Sequence, residues 1–220
     1  MMLKLYYAPG ACSLVPHASL EAIKAACGED FEPASVKLHK GEHKTPEYLA
    51  LNPNGQVPVL LAEGGPLTQV PAISDYLDRR YPAAGLLPTD PWQRAQALSL
   101  LAWMSNSVHP TFTHVFRPEK FVDSESSQAD VKRYNLAAYR TLLERIQAMV
   151  GKASPWLSGA TPGVVDYYAL VLFRWGGMGG IDPDLLPAYR DYAARVAALP
   201  PVAAALAREG LPLSMYKKPA

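Results

Sequence analysis

Apolar positions change period repeatedly over the first eighty residues and then settle into a helical one. Leu3 to Tyr7 is a short apolar and aromatic run stopped by Pro9-Gly10, the pattern of a strand and its turn. Residues 12–27 carry Leu14, Ala18, Ala22, Ala25 and Ala26 at helical spacing. Phe31 to Leu38 alternates as a second strand, and Thr45-Pro46-Glu47 opens a short helix with Thr45 as N-cap and proline at the first helical position. After the loop Asn52-Pro53-Asn54-Gly55, residues 56–61 form a third strand interrupted by Pro58. The turn Glu63-Gly64-Gly65 leads to a very short strand at Pro66-Leu67-Thr68, and a helix runs from Pro71 to Tyr81.

This βαβ-then-αββα order implies a mixed sheet covered by helices. Residues 82–91 are rich in proline and read as a linker. Beyond it no strand pattern occurs, and residues 92–109, 127–150, 164–176, 184–198 and 200–208 read as helices. The expected class is α/β plus all-α: a small α/β domain over residues 1–81, a linker over 82–91 and a helical domain over 92–220.

Composition narrows the function classes. The 220 residues are 49% hydrophobic and 19% charged, with 21 basic against 20 acidic side chains and a formal charge of +1. Nothing in that balance favours nucleic acid or an anionic membrane as partner. The N-terminus has no long apolar core or cleavage site, and Val164 to Trp175 is interrupted by Asp166 and Arg174, so a cytoplasmic protein is expected. At opposite ends of one helix, Cys12 and Cys27 would lie roughly 22 Å apart, against the roughly 7 Å a disulfide tolerates. No metal-ligand cluster stands out.

Three motifs carry candidate chemistry. Cys12, in Ala8-Pro9-Gly10-Ala11-Cys12-Ser13, stands where a strand hands over to a helix, and the helix dipole there can lower a thiol pKa. A small buried hydrophobe is the competing reading. Position 15 is valine, so there is no C-x-x-C pair and any thiol chemistry needs an external thiol. In Asn54-Gly55-Gln56-Val57-Pro58, a cis Val57–Pro58 bond would free the Val57 N–H and C=O to face a ligand; a trans proline at a strand start is the alternative. Leu67-Thr68-Gln69-Val70-Pro71 opens a helix whose free N–H groups suit a carboxylate, or simply initiates it. Glycines 176, 177, 179 and 180 follow a helix and read as a helix stop, not a phosphate loop.

Together these motifs resemble the bacterial beta-class glutathione transferases. The resemblance rests on Tyr6 to Leu14, Asn52 to Pro58 and Leu67 to Leu77 in their order and spacing. It extends to Trp103, Val108-His109-Pro110, Phe116-Arg117-Pro118, Pro155 to Gly159 and Val165 to Tyr168. It implies a thioredoxin-like first domain that holds glutathione and a helical bundle that builds the co-substrate pocket. Carried over by position, Cys12, His109 and Tyr7 would be the catalytic set. The backbone of Val57 before cis Pro58 would pair with the cysteinyl part of glutathione, and Ser13 and Gln56 would be among the other residues that bind it. Gln69 and Val70 would hold its γ-glutamyl end, and Lys40 its glycine carboxylate. Asn106, one turn before His109, would share its face.

The family usually has Glu-Ser or Glu-Gly at Gln69-Val70, and its Ser/Thr-x-x-Asp capping box becomes Gly163-x-x-Asp166 here, which makes Asp166 a folding residue. Phe112, Phe116 and Trp175 are pocket walls or core aromatics. The resemblance implies a homodimer that conjugates glutathione, its co-substrate, to small, largely apolar electrophiles without a metal. The alternatives are glutathione-dependent disulfide exchange at Cys12 and a non-catalytic ligand carrier.

Overall fold

The computed structural model describes residues 2–153 and 155–218. Strand β1 (Leu3–Tyr7) leads through the Cys12 loop into helix α1 (Leu14–Cys27) and then β2 (Phe31–Ser35). Helix α2 (Pro46–Leu51), strands β3 (Val59–Ala62) and β4 (Gly65–Thr68) and helix α3 (Val70–Arg80) follow. The sheet order is β2-β1-β3-β4; β1 and β2 are parallel, and the other pairings are antiparallel. This is the thioredoxin-like mixed sheet that the resemblance implies.

The expected boundaries move where local chemistry wins. The second strand stops at Ser35, and tight turns over 38–40 and 42–44 replace its expected end. The third strand starts only at Val59, because Pro58 has no N–H for the ladder. Thr45 caps α2 as read, its Oγ1 accepting from the Tyr48 N–H at 3.3 Å.

The helical half comprises α4 (Pro91–Trp103), α5 (His109–Phe116), α6 (Glu125–Val150), α7 (Val164–Met178), α8 (Pro187–Ala197) and α9 (Pro200–Glu209). A π turn, Met104–Val108, joins α4 to α5, so the helical path continues to Phe116 instead of stopping near Pro110. In that turn the His109 N–H reaches back to the Met104 carbonyl, and Pro110, which has no N–H to donate, follows it as the second residue of α5. The segment between the halves is pinned: Leu86 and Leu87 are buried, and the Leu87 N–H donates to Asp78 Oδ1 at 2.9 Å.

Helix α7 is the spine of the molecule. Residues 164–177 are all buried, which explains the most apolar stretch of the sequence. It packs on α1 from the first half and on α4, α6 and α8 from the second. Asp166 secures its start by accepting from the Gly163 N–H at 2.7 Å, the Leu157 N–H at 2.8 Å and the Tyr192 hydroxyl. A side chain at position 163 would collide with the Leu86 carbonyl oxygen, so glycine caps here for want of space. Gly176 and Gly177 are not a helix stop. They lie inside α7, where a Cβ would come within 2.6 Å of Leu143 Cδ1 and 2.8 Å of the Tyr216 nitrogen respectively. The helix ends at Gly179-Gly180.

Candidate active site

The loop between β1 and α1 is fixed from several directions. Ser13 closes it: its Oγ accepts from the Ala8 N–H at 3.1 Å and donates to the Ala8 carbonyl at 3.2 Å. That hydroxyl is fully buried and turned inward, away from the contact with glutathione expected of it. Gly10 has φ of 78°, a conformation that glycine adopts without a Cβ penalty. Its N–H donates to Glu209 Oε2 at 2.9 Å, and its carbonyl accepts from the Trp175 indole N–H at 2.8 Å. Glu209 also holds buried His17 at 2.8 Å. Thus α9 and α7 of the helical half grip the residue two before Cys12.

Cys12 lies at the end of this loop, just ahead of α1, and is 7% exposed. Its Sγ points at the Val57 carbonyl, 3.8 Å away. Burial pushes the thiol up to about 12, outweighing the Cys12 and Ser13 backbone N–H groups that pull the other way. The lowered pKa expected from the helix dipole is therefore overturned: desolvation disfavours the thiolate more than the helix start favours it. At neutral pH this thiol is a hydrogen-bond donor.

The second motif arrives opposite Cys12. The Val57–Pro58 bond is cis. The Val57 carbonyl faces the thiol, and its N–H has no partner among the described residues. Just before it, the Gln56 carbonyl accepts from Tyr48 Oη at 2.8 Å and Asn52 Nδ2 at 2.7 Å, while the Gln56 side chain is exposed. The β3–β4 register pairs Val59 with Thr68, which brings Gln69 beside Pro58. Gln69 is the only non-glycine residue with positive φ among the described residues, at 72°, a strained backbone of the kind found at ligand clamps. It is exposed, whereas Val70 is buried as the first residue of α3. Lys40 is exposed at the end of its turn, with no ion pair among the described residues.

His109 comes from the helical half. Its Nδ1 lies 2.8 Å from the Tyr168 hydroxyl, and its ring meets Trp175 edge-on at 4.6 Å. Burial lowers its pKa to about 4, so the imidazole is neutral at pH 7. Phe112 stacks on the other part of Trp175 at 5.2 Å and on Phe116 at 6.1 Å. Phe112 and Trp175 are buried and Phe116 is exposed, so these rings form a graded wall from core to surface.

Two expected placements change. Asn106 lies within the π turn, not one α-helical turn before His109, and its exposed side chain accepts from Ser107 Oγ at 2.6 Å. Ser105, one residue earlier, is the one beside Tyr168. Tyr7 faces the core and packs on His17 at 4.8 Å; the hydrogen-bond partner of the Cys12 thiol is the Val57 carbonyl, not Tyr7. Strand alternation puts Leu3, Leu5 and Tyr7 on that buried face and Tyr6 on the other.

Sequence reading missed Tyr168, Glu209 and His17 as parts of this site. The available signal was faint: Tyr168 and Trp175 stand seven residues apart, on one face of α7. Two open surface grooves lie away from Cys12. One, of about 450 Å³, runs between α4 and α6; the other, of about 250 Å³, lies between β2 and α2. Among the described residues no three metal-ligating side chains converge, and no helix is long and apolar enough to cross a membrane.

Comparison with known proteins places this geometry. Residues 1–79 match the glutathione S-transferase N-terminal domain. A glutathione S-transferase of Xanthomonas campestris pv. campestris is 33% identical over 210 residues, 95% of this chain and 100% of the relative. A maleylacetoacetate isomerase of Pseudomonas aeruginosa is 33% identical over 177 residues, 79% and 82% of the two chains. A glutathione transferase homologue from Sulfitobacter, solved with bound glutathione, superposes with a TM-score of 0.86 at 27% identity, covering 96% of this chain and 99% of that one. A bacterial beta-class glutathione S-transferase of Sphingomonas chungbukensis does so with a TM-score of 0.81 at 31% identity, covering 95% and 100%.

Proposed function

This chain belongs to the glutathione S-transferase family, and on that premise we propose that it binds glutathione and conjugates it to small, largely apolar electrophiles. The observation that carries the reading is a chain of contacts that links the Val57 carbonyl to Cys12 and, through Gly10 and Trp175, the Cys12 loop to His109. The Val57 N–H and C=O pair with the cysteinyl part of glutathione, and Gln69 with the Val70 N–H takes the γ-glutamyl end. Lys40 meets the glycine carboxylate. The Cys12 thiol and His109 then donate hydrogen bonds to the glutathione sulfur and hold it as the thiolate beside the Phe112–Phe116 wall.

The pKa of Cys12 favours this division of labour over disulfide exchange, because a thiol held near 12 is a poor nucleophile. Following thioether formation between glutathione and a chloronitrobenzene tests the proposal. Cys12→Ala is expected to keep measurable conjugation; loss of all conjugation in that variant, with glutathione still bound, would make Cys12 indispensable for activating the glutathione sulfur and would overturn the shared role given to His109. A second arm is warranted by the isomerase relative: turnover of maleylacetoacetate with catalytic glutathione would shift the reading from conjugation to isomerisation.

The proposal includes a homodimer in the cytoplasm. The groove between α4 and α6 supports a second copy: Trp92 is 71% exposed at its edge, and Trp103 lies in it under the Arg145 guanidinium at 4.5 Å. Exposed aromatic and arginine side chains of this kind are enriched at interfaces.

A further inference from the structure

We infer that Tyr168 is a positioning residue that holds His109 as the neutral tautomer with its proton on Nε2, so that this nitrogen donates into the cleft. What Nε2 meets there rests on the glutathione reading above; the tautomer itself rests only on the geometry around Tyr168.

Tyr168 and Trp175 occupy one face of α7, two turns apart. The Trp175 ring meets the imidazole at 4.6 Å with planes 70° apart, and the Tyr168 hydroxyl lies 2.8 Å from Nδ1. One contact fixes the plane of the ring and the other marks one of its nitrogens. A phenol has a single proton to give. Burial keeps that proton on Tyr168 by raising its pKa well above the ordinary value, and among the described residues His109 Nδ1 is the hydrogen-bond partner of the phenol oxygen. Tyr168 is fully buried, and a buried hydroxyl proton left without an acceptor is costly, so the phenol proton goes to Nδ1, the acceptor within reach. An imidazole that accepts at Nδ1 and is neutral carries its own proton on Nε2. Among the described residues Nε2 has no hydrogen-bond partner.

The consequence separates two roles for His109. In this tautomer Nε2 cannot take a proton from a thiol; it stabilises a thiolate by donation. In the opposite tautomer Nδ1–H would donate to the phenol, and a bare Nε2 would be a general base.

The test is long-range ¹H–¹⁵N NMR of the full-length protein with ¹⁵N-labelled histidine, at neutral pH and without glutathione. The His109 signals are identified by their loss in His109→Asn. The expected pattern has Nε2 protonated and Nδ1 bare, and Tyr168→Phe moves it toward a mixture of tautomers. The same variant is expected to lower kcat for chloronitrobenzene conjugation roughly three- to tenfold, the worth of one hydrogen bond, with KM for glutathione nearly unchanged. Combined with His109→Ala, Tyr168→Phe should add nothing. A wild-type spectrum with the proton on Nδ1 overturns the inference even if Tyr168→Phe fails to fold, and so does a Tyr168→Phe spectrum identical to wild type. Failure of glutathione to bind would sink the functional reading while leaving the tautomer result standing.

Discussion

Replacing Asp166 by alanine should unfold this protein more readily than any loss of catalysis would suggest. The carboxylate is fully buried and receives three hydrogen bonds, from the Gly163 and Leu157 N–H groups and from Tyr192. Each bond to a charged acceptor is worth roughly 1.5–3 kcal/mol, and each donor left unsatisfied costs about 1–3 kcal/mol. The three share one side chain, so their losses do not add fully. About 4–6 kcal/mol is expected, a large fraction of a typical domain stability of about 5–15 kcal/mol. Asp166→Asn offers an internal control. Its amide oxygen can still serve Leu157 and Tyr192, but its NH₂ then faces the Gly163 N–H, so about half of the loss should remain. Urea unfolding followed by circular dichroism gives both midpoints. With a slope of about 3 kcal/mol/M, Asp166→Ala shifts the midpoint by roughly 1.3–2 M. A shift below about 0.3 M would refute the reasoning, as would lost activity at unchanged stability.

Further outcomes follow from the same structure. Gly176→Ala puts a Cβ 2.6 Å from Leu143 Cδ1 and should cost about 1–3 kcal/mol by overpacking, read in the same urea experiment. A thiol reagent at pH 8 should modify exposed Cys27 quickly and buried Cys12 slowly; mass spectrometry showing the reverse order would remove the raised Cys12 pKa. His109 falls from an ordinary value near 6.5 to about 4 on folding, so below pH 6.5 the unfolded chain binds more protons. Stability should therefore decline as pH drops from about 6.5 toward 4, by up to about 3 kcal/mol from this group. His109→Asn should flatten that slope, and an unchanged slope would contradict the assignment.

The sequence carried the alternation of the first half, the caps at Thr45 and Gly163, and the three motifs at Cys12, Val57-Pro58 and Gln69. Each depends on residues close in the chain, so its physics is written locally. What stayed hidden depends on distant partners. Nothing near Gly10 announces that Glu209 and Trp175 hold its two backbone groups. The π turn at Met104–Val108 has no composition signature, and it changes the helical spacing between Asn106 and His109 that the sequence implied. The Cys12 error has a simple cause. A helix start is visible in sequence and argues for a thiolate; the burial that wins is set by residues from both halves.

The most direct test of the account is calorimetric titration of the protein with glutathione, in the wild type and in Cys12→Ala. Saturable binding of one glutathione per chain in both proteins is the predicted result, weaker in the variant by the loss of one hydrogen bond. No heat of binding to the wild type at millimolar glutathione would contradict the central claim.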